Sequence, residues 1–144
     1  MTSSAATLNV SDRLDLARDI MTIGRVRHLP VVLDGRVVGI VSQRDLFRAS
    51  ISSVLKAAPA AELEWLSKIP ICDVMSKPVY TAQASWPLRR AVNLMVEKRI
   101  GCLPVVEDGT LIGLLSESDC LRLLVERLGH GDAASGDQPE TVRP

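Results

Sequence analysis

One stretch of this chain is written twice. "RHLPVVLDGRVVGIVSQRD" occupies residues 27–45 and "GCLPVVEDGTLIGLLSESD" residues 101–119. Leu29, Pro30, Val31, Val32, Asp34, Gly35, Gly39, Ser42 and Asp45 recur 74 positions on as Leu103, Pro104, Val105, Val106, Asp108, Gly109, Gly113, Ser116 and Asp119. The match continues upstream without a gap, with Ser11, Leu14, Ala17 and Met21 falling on Ser85, Leu88, Ala91 and Met95. Two copies at so long a period are no solenoid array, which stacks more and shorter units. They point to a pseudo-symmetric pair of half-domains, each too small to cover its own sheet.

Each copy parses locally. Ser11 and Ser85 are expected to cap the helix that follows. Leu14, Ala17 and Met21, and Leu88, Ala91, Val92 and Met95, recur at helical spacing and predict a buried helix face. "LPVV" is short and β-branched, hence a strand. Asp34-Gly35 and Asp108-Gly109 are hairpin signals, because a type I′ turn needs positive φ at both central residues. "RVVGIV" and "TLIGLL" are apolar return strands, expected to be covered on both faces. A second helix is predicted from Gln43 to about Lys56 and from Glu117 to Leu128. A short strand before the first helix is predicted over residues 78–82, with a weaker counterpart at residues 7–9. The fold class is therefore α+β in two layers, each unit ordered β-α-β-β-α.

The domains expected are residues 1–56, a first unit truncated at its N-terminal side; 57–70, a partly helical connector that Pro59 interrupts and that offers Leu63, Trp65 and Leu66 for packing; 71–128, the second unit; and 129–144, a Gly-, Pro- and charge-rich tail expected to be disordered.

Composition removes several function classes. Among 144 residues, 47% are hydrophobic but only 3% aromatic, so the core must be aliphatic. Seventeen basic residues balance seventeen acidic ones, leaving no net charge to draw nucleic acid or an anionic membrane. Cys72, Cys102 and Cys120 are scattered, without the C-x-x-C spacing of a disulfide or zinc framework. No run approaches the roughly 20 apolar residues of a membrane span, and the N-terminus lacks a signal peptide's apolar stretch. A cytoplasmic protein is expected.

The candidate chemistry lies at the end of each copy, in Ser42-Gln43-Arg44-Asp45 and Ser116-Glu117-Ser118-Asp119. Ser-x-x-Asp fits a reciprocal helix cap. It also fits a ligand site, since a carboxylate accepts paired hydrogen bonds from a vicinal diol and a helix N-terminus presents amides to a phosphate. Arg44 puts a cation beside the first Asp and Glu117 an anion beside the second, so phosphate should prefer the first copy. His28 has no His/Cys/Asp constellation around it in sequence. Lys77 reads as surface, Trp86 as packing at a helix start, and Arg89, Arg90, Lys98 and Arg99 as a solvated helix face. No activated nucleophile, acid–base pair or phosphate-loop signature is present, so no enzyme is expected.

"ICDVMSKPVYTA" followed by "RIGCLPVVEDGTLIGLLSESD" resembles the CBS domain, the module named after cystathionine β-synthase. The resemblance spans residues 7–128, although the first unit lacks the Asp-Val-Met-Ser lead-in of residues 73–76. It implies tandem units packed about a pseudo-twofold axis, two clefts between them, and a homodimer. It implies an adenosyl ligand, AMP, ADP, ATP or S-adenosylmethionine, with no cofactor required, and regulation of an unknown partner protein in trans. It places Ser42, Asp45, Ser116 and Asp119 at ribose. It lines one adenine pocket with Tyr80, Thr81, Cys102, Leu103 and Pro104, and the other with Leu8, His28, Leu29 and Pro30. The first copy then offers the better phosphate end, with Arg44, and the second the better base pocket. The alternative is an interaction and dimerisation module whose clefts bind no nucleotide.

Overall fold

The computed structural model describes residues 5–54 and 59–129. Lys56 and residues 130–144, over which a helix end and a disordered tail were expected, lie outside them. The first unit runs β1 (Leu8–Asn9), α1 (Leu14–Gly24), β2 (His28–Leu33), β3 (Arg36–Ser42) and α2 (Gln43–Val54). After α3 (Pro59–Leu66) and a single 3₁₀ turn at Ile71–Asp73, the second unit repeats the order. Its elements are β4 (Ala82–Gln83), α4 (Leu88–Lys98), β5 (Cys102–Glu107), β6 (Thr110–Ser116) and α5 (Glu117–Leu128).

Each unit carries a three-stranded sheet, β1-β2-β3 and β4-β5-β6. β1 lies parallel to β2, so a helical crossover must join them, and α1 is that crossover. β2 and β3 form the antiparallel hairpin, with a bulge between Val31 and Val32 that β5 repeats between Val105 and Val106. Both hairpin turns have the backbone the sequence predicts. Asp34 and Gly35 sit at φ 50° and 76°, Asp108 and Gly109 at 48° and 80°.

The helix starts differ from expectation. α1 begins after Arg13 and α4 after Pro87, and neither side chain makes a capping hydrogen bond. The hydroxyl and amide of Ser11 both donate to Asn9 Oδ1, which spends them on the turn before the helix. Proline at the start of α4 already holds φ at −62°, so the chain enters that helix preorganised. The strand expected over residues 78–82 is reduced to Ala82–Gln83. Proline has no amide to give a ladder, and the segment from Pro78 to Tyr80 lines a cavity instead.

There are two aliphatic cores. The first gathers Leu8, Leu14, Ala17, Met21, Leu29, Val31 and Val41 with Leu66 and Ile71 from the connector. The second gathers Ala82, Ala91, Met95, Leu103, Val105 and Leu115. Of the connector's expected apolar stripe only Leu66 is buried; Leu63 and Trp65 remain exposed, although Trp65 Nε1 donates to the Ala49 carbonyl at 3.3 Å. The buried α4 face holds for Ala91 and Met95 but not for Leu88, which is 40% exposed, while its equivalent Leu14 is fully buried. The connector supplies the difference, packing α3 on α1 and α2.

Candidate functional site

The two units meet through β3 and β6, and the chain crosses from one to the other at Ser76. There Ser76 pairs with Ile40 of β3; its amide donates to the Ile40 carbonyl at 2.8 Å. Gly39 makes this approach possible. A Cβ on it would stand 2.7 Å from Met75 Cγ and 3.0 Å from Met75 Cβ, closer than packed carbons come. Pinned on β3, the lead-in of the second unit carries Pro78, Val79 and Tyr80 over the exit loop of the first.

The result is a cavity of about 240 Å³ built from both units. Val79, Tyr80, Ile100 and Cys102 of the second unit form its apolar wall, and Ser42, Arg44, Asp45 and Arg48 of the first form its polar end. Arg44 on one side and Tyr80 and Cys102 on the other, which the sequence reading assigns to different clefts, line one cavity. Arg48 escapes the sequence reading, yet it sits one turn beyond Arg44 at i+4 and so on the same helix face. Val79, Ile40 and Ile100 carry no signal beyond apolarity.

The pseudo-equivalent cavity is smaller, about 150 Å³, and holds Ser116, Asp119 and Arg122 with Arg25, Arg27 and His28. Among the described residues its apolar wall is Val26 and Leu114. Leu29, Pro30, Leu103 and Pro104 are buried almost completely and line neither cavity. Leu8 lies in the first core, and Thr81 is half-buried outside both.

Both Ser-x-x-Asp segments form complete reciprocal caps. The Ser42 hydroxyl and amide donate to Asp45 Oδ2 at 2.6 and 2.8 Å, and the Asp45 amide donates to Ser42 Oγ at 3.2 Å. Ser116 and Asp119 repeat this at 2.7, 2.9 and 3.3 Å. The Gln43 amide donates to the Arg27 carbonyl and the Glu117 amide to the Gly101 carbonyl. The first and third amides of α2 and of α5 are therefore engaged already, which leaves side chains to supply most of the positive charge. Burial raises the Asp119 carboxyl, but the hydrogen bonds from Ser116 outweigh it and bring the pKa below the usual value.

His28 and its equivalent Cys102 face the junction. Burial, helped by Arg27 and Arg44 and opposed by Glu117 and Asp45, lowers the His28 pKa, favouring the neutral ring. Burial, with Glu117 adding to it, pushes the Cys102 thiol up to about 12, which favours the protonated thiol over the reactive thiolate near neutral pH. Among the described residues no cluster of His, Cys, Asp or Glu is arranged to hold a metal ion, and no helix is long and apolar enough to cross a membrane. Trp86 packs on the second core, with the Arg90 guanidinium 3.8 Å from its ring centre.

The CBS domain matches residues 1–52 and again residues 71–126. The chain belongs to the CBS domain family. As a CBS pair it resembles a CBS domain-containing protein of Dictyostelium discoideum, with 34% identity across 89% of this chain and 90% of that one. AcuB of Vibrio cholerae superposes with a TM-score of 0.77 at 30% identity, covering 90% and 91% of the two chains. CBSX2, solved in complex with AMP, superposes at 0.71 and 27% identity over 88% and 93%. In longer relatives the pair is a part: it spans 21% of an inosine-5′-monophosphate dehydrogenase from Thermoplasma acidophilum.

Proposed function

We propose that this CBS pair is a non-catalytic regulatory module that binds an adenosyl ligand in the larger cavity and signals to a partner protein in trans. The observation that carries this reading is the composite wall of that cavity. An apolar side formed by Val79, Ile100 and Cys102, with the Tyr80 ring, suits a purine. Ser42, Arg44, Asp45 and Arg48 line the same cavity; in this reading Asp45 and Ser42 take the ribose diol, and Arg44 and Arg48 a phosphate. The cap and the ligand use the same carboxylate compatibly, since the cap engages Oδ2 and a diol can take the other oxygen. The relative CBSX2 binds AMP, which supports the same ligand class.

A ligand touching both units favours one relative placement of them, and a partner that reads this placement responds by population shift. A second copy of the chain is our choice for the cover over α4 and α5. Val96, Leu121, Leu124, Val125 and Leu128 there are all more than half exposed, an apolar extent unusual for a surface left in water.

Calorimetric titration with adenosine and AMP tests the ligand reading. Asp45→Ala should weaken binding about tenfold or more, as expected on losing hydrogen bonds to a charged group, while Asp119→Ala leaves the larger cavity's ligand in place. A loss from Asp119→Ala with binding kept in Asp45→Ala would move the site to the smaller cavity. No heat with either ligand would leave the interaction module as the function, and a monomeric mass by light scattering would remove the second copy.

A further inference from the structure

A concavity of about 400 Å³ opens beside the 240 Å³ cavity and shares His28, Ser42, Arg44 and Gly101 with it. At about 240 Å³ the base cavity alone falls below the roughly 300–1,000 Å³ of a small-molecule site, and with this trough the site falls inside that range. Arg27, Arg44 and Arg99 line the trough, and Glu117 is the carboxylate that faces them. Arg27 comes from before β2 and Arg99 from the end of α4, so both units contribute charge. Arg27 already reaches across, donating to Ser118 Oγ at 3.0 Å.

Two backbone features favour this arrangement. Arg99 ends α4 in the left-handed region at φ 54°, and Arg25 ends α1 in the same way at 50°. This position ordinarily takes glycine, because other residues are strained there. Strain kept at a site points to a use for the side chain. Gly101 lies where the repeat would put the equivalent of Arg27. A Cβ there would approach His28 Cε1 to 3.2 Å and Glu117 Oε2 to 3.5 Å, narrowing the passage from base cavity to trough.

We propose that the preferred nucleotide carries phosphates beyond the first, as ADP or ATP, and that its outer phosphates lie in this trough against Arg27 and Arg99. The inference rests on the adenosyl reading of the base cavity. Its charge argument disfavours S-adenosylmethionine, whose sulfonium would meet guanidinium groups. Planar guanidinium groups match phosphate oxygens in pairs.

Calorimetry with adenosine, AMP, ADP, ATP and S-adenosylmethionine, in EDTA, tests it on the full chain. ADP and ATP should bind about tenfold or more tighter than AMP, the size expected of one added charge-assisted contact, and this preference should shrink as salt is raised. Arg99→Gly should hold or raise the melting temperature, since glycine suits the left-handed position, yet erase most of the preference for ATP while leaving adenosine binding intact. AMP binding as tightly as ATP, S-adenosylmethionine binding tightest, or Arg99→Gly keeping the full preference would each overturn the inference while leaving the adenosyl reading standing. Failure of all five ligands to bind the unaltered chain would instead sink the adenosyl reading itself.

Discussion

The two units share one topology and differ in what covers them. The first has the connector, which places Leu66 and Ile71 in its core and α3 across α1 and α2. The second has no such cover among the described residues. Leu88 of α4 stands 40% exposed, and α5 has no buried residue at all. Their cavities differ as well, since only the first unit's exit loop lies under the segment at Pro78–Tyr80. Similar sequences therefore specify similar backbones, while the segments outside the repeat decide which copy's core is covered and which copy's exit loop gains an apolar wall.

The largest expected effect exploits that difference directly. Leu14→Ala should cost about 2–5 kcal/mol, the range for emptying a packed core site. Leu88→Ala, at the equivalent but half-open position, should cost less than about 1 kcal/mol, as surface substitutions do. Urea unfolding of the two variants measures both, and similar costs would show that α4 is covered in solution, as a second copy would cover it. Next in size is Gly39→Ala, expected to destabilise by about 1–3 kcal/mol, as overpacking does. It should also weaken adenosine binding by forcing Met75 and the lead-in off β3. Unchanged binding would detach the cavity's wall from this contact.

The smallest effect concerns the equivalent pair His28 and Cys102. The folded pKa of His28 lies below its ordinary 6.5, so the unfolded chain takes up a proton that the folded chain refuses. The share of stability that depends on a neutral His28 is fully present above about pH 6.5 and is lost as the pH falls below it. Burial, Arg27 and Arg44 set this direction against Glu117 and Asp45. His28→Gln should flatten the decline between about pH 7 and 5. Cys102, with its pKa near 12, contributes nothing in that window. An unaltered slope in the glutamine variant would show that His28 does not set it; Asp119, whose depressed pKa has the same sign, acts only as the pH falls below about 4.

Much of the site was legible, but not its assembly. Ser42, Asp45, Ser116 and Asp119 could be read from spacing, because a helix cap is a local device. Arg48 could have been, from its helical offset to Arg44. That Tyr80 and Asp45 would line one cavity was not legible. The pairing depends on one bridge at Ser76 and one missing side chain at Gly39, neither of which leaves a periodic trace. The N-cap placed at Ser11 failed because the Asn9 side chain takes its hydroxyl and amide, and the one at Ser85 because the helix starts after Pro87.

Sequence alone determined the two units, their hairpins and their capped second helices, because all of these rest on interactions within a few residues. The tertiary structure decided which walls share a cavity, which helix faces stay open and which arginines converge. Those outcomes depend on how the two sheets meet and where the connector lies, and a repeat with two nearly equal copies carries no local mark of either.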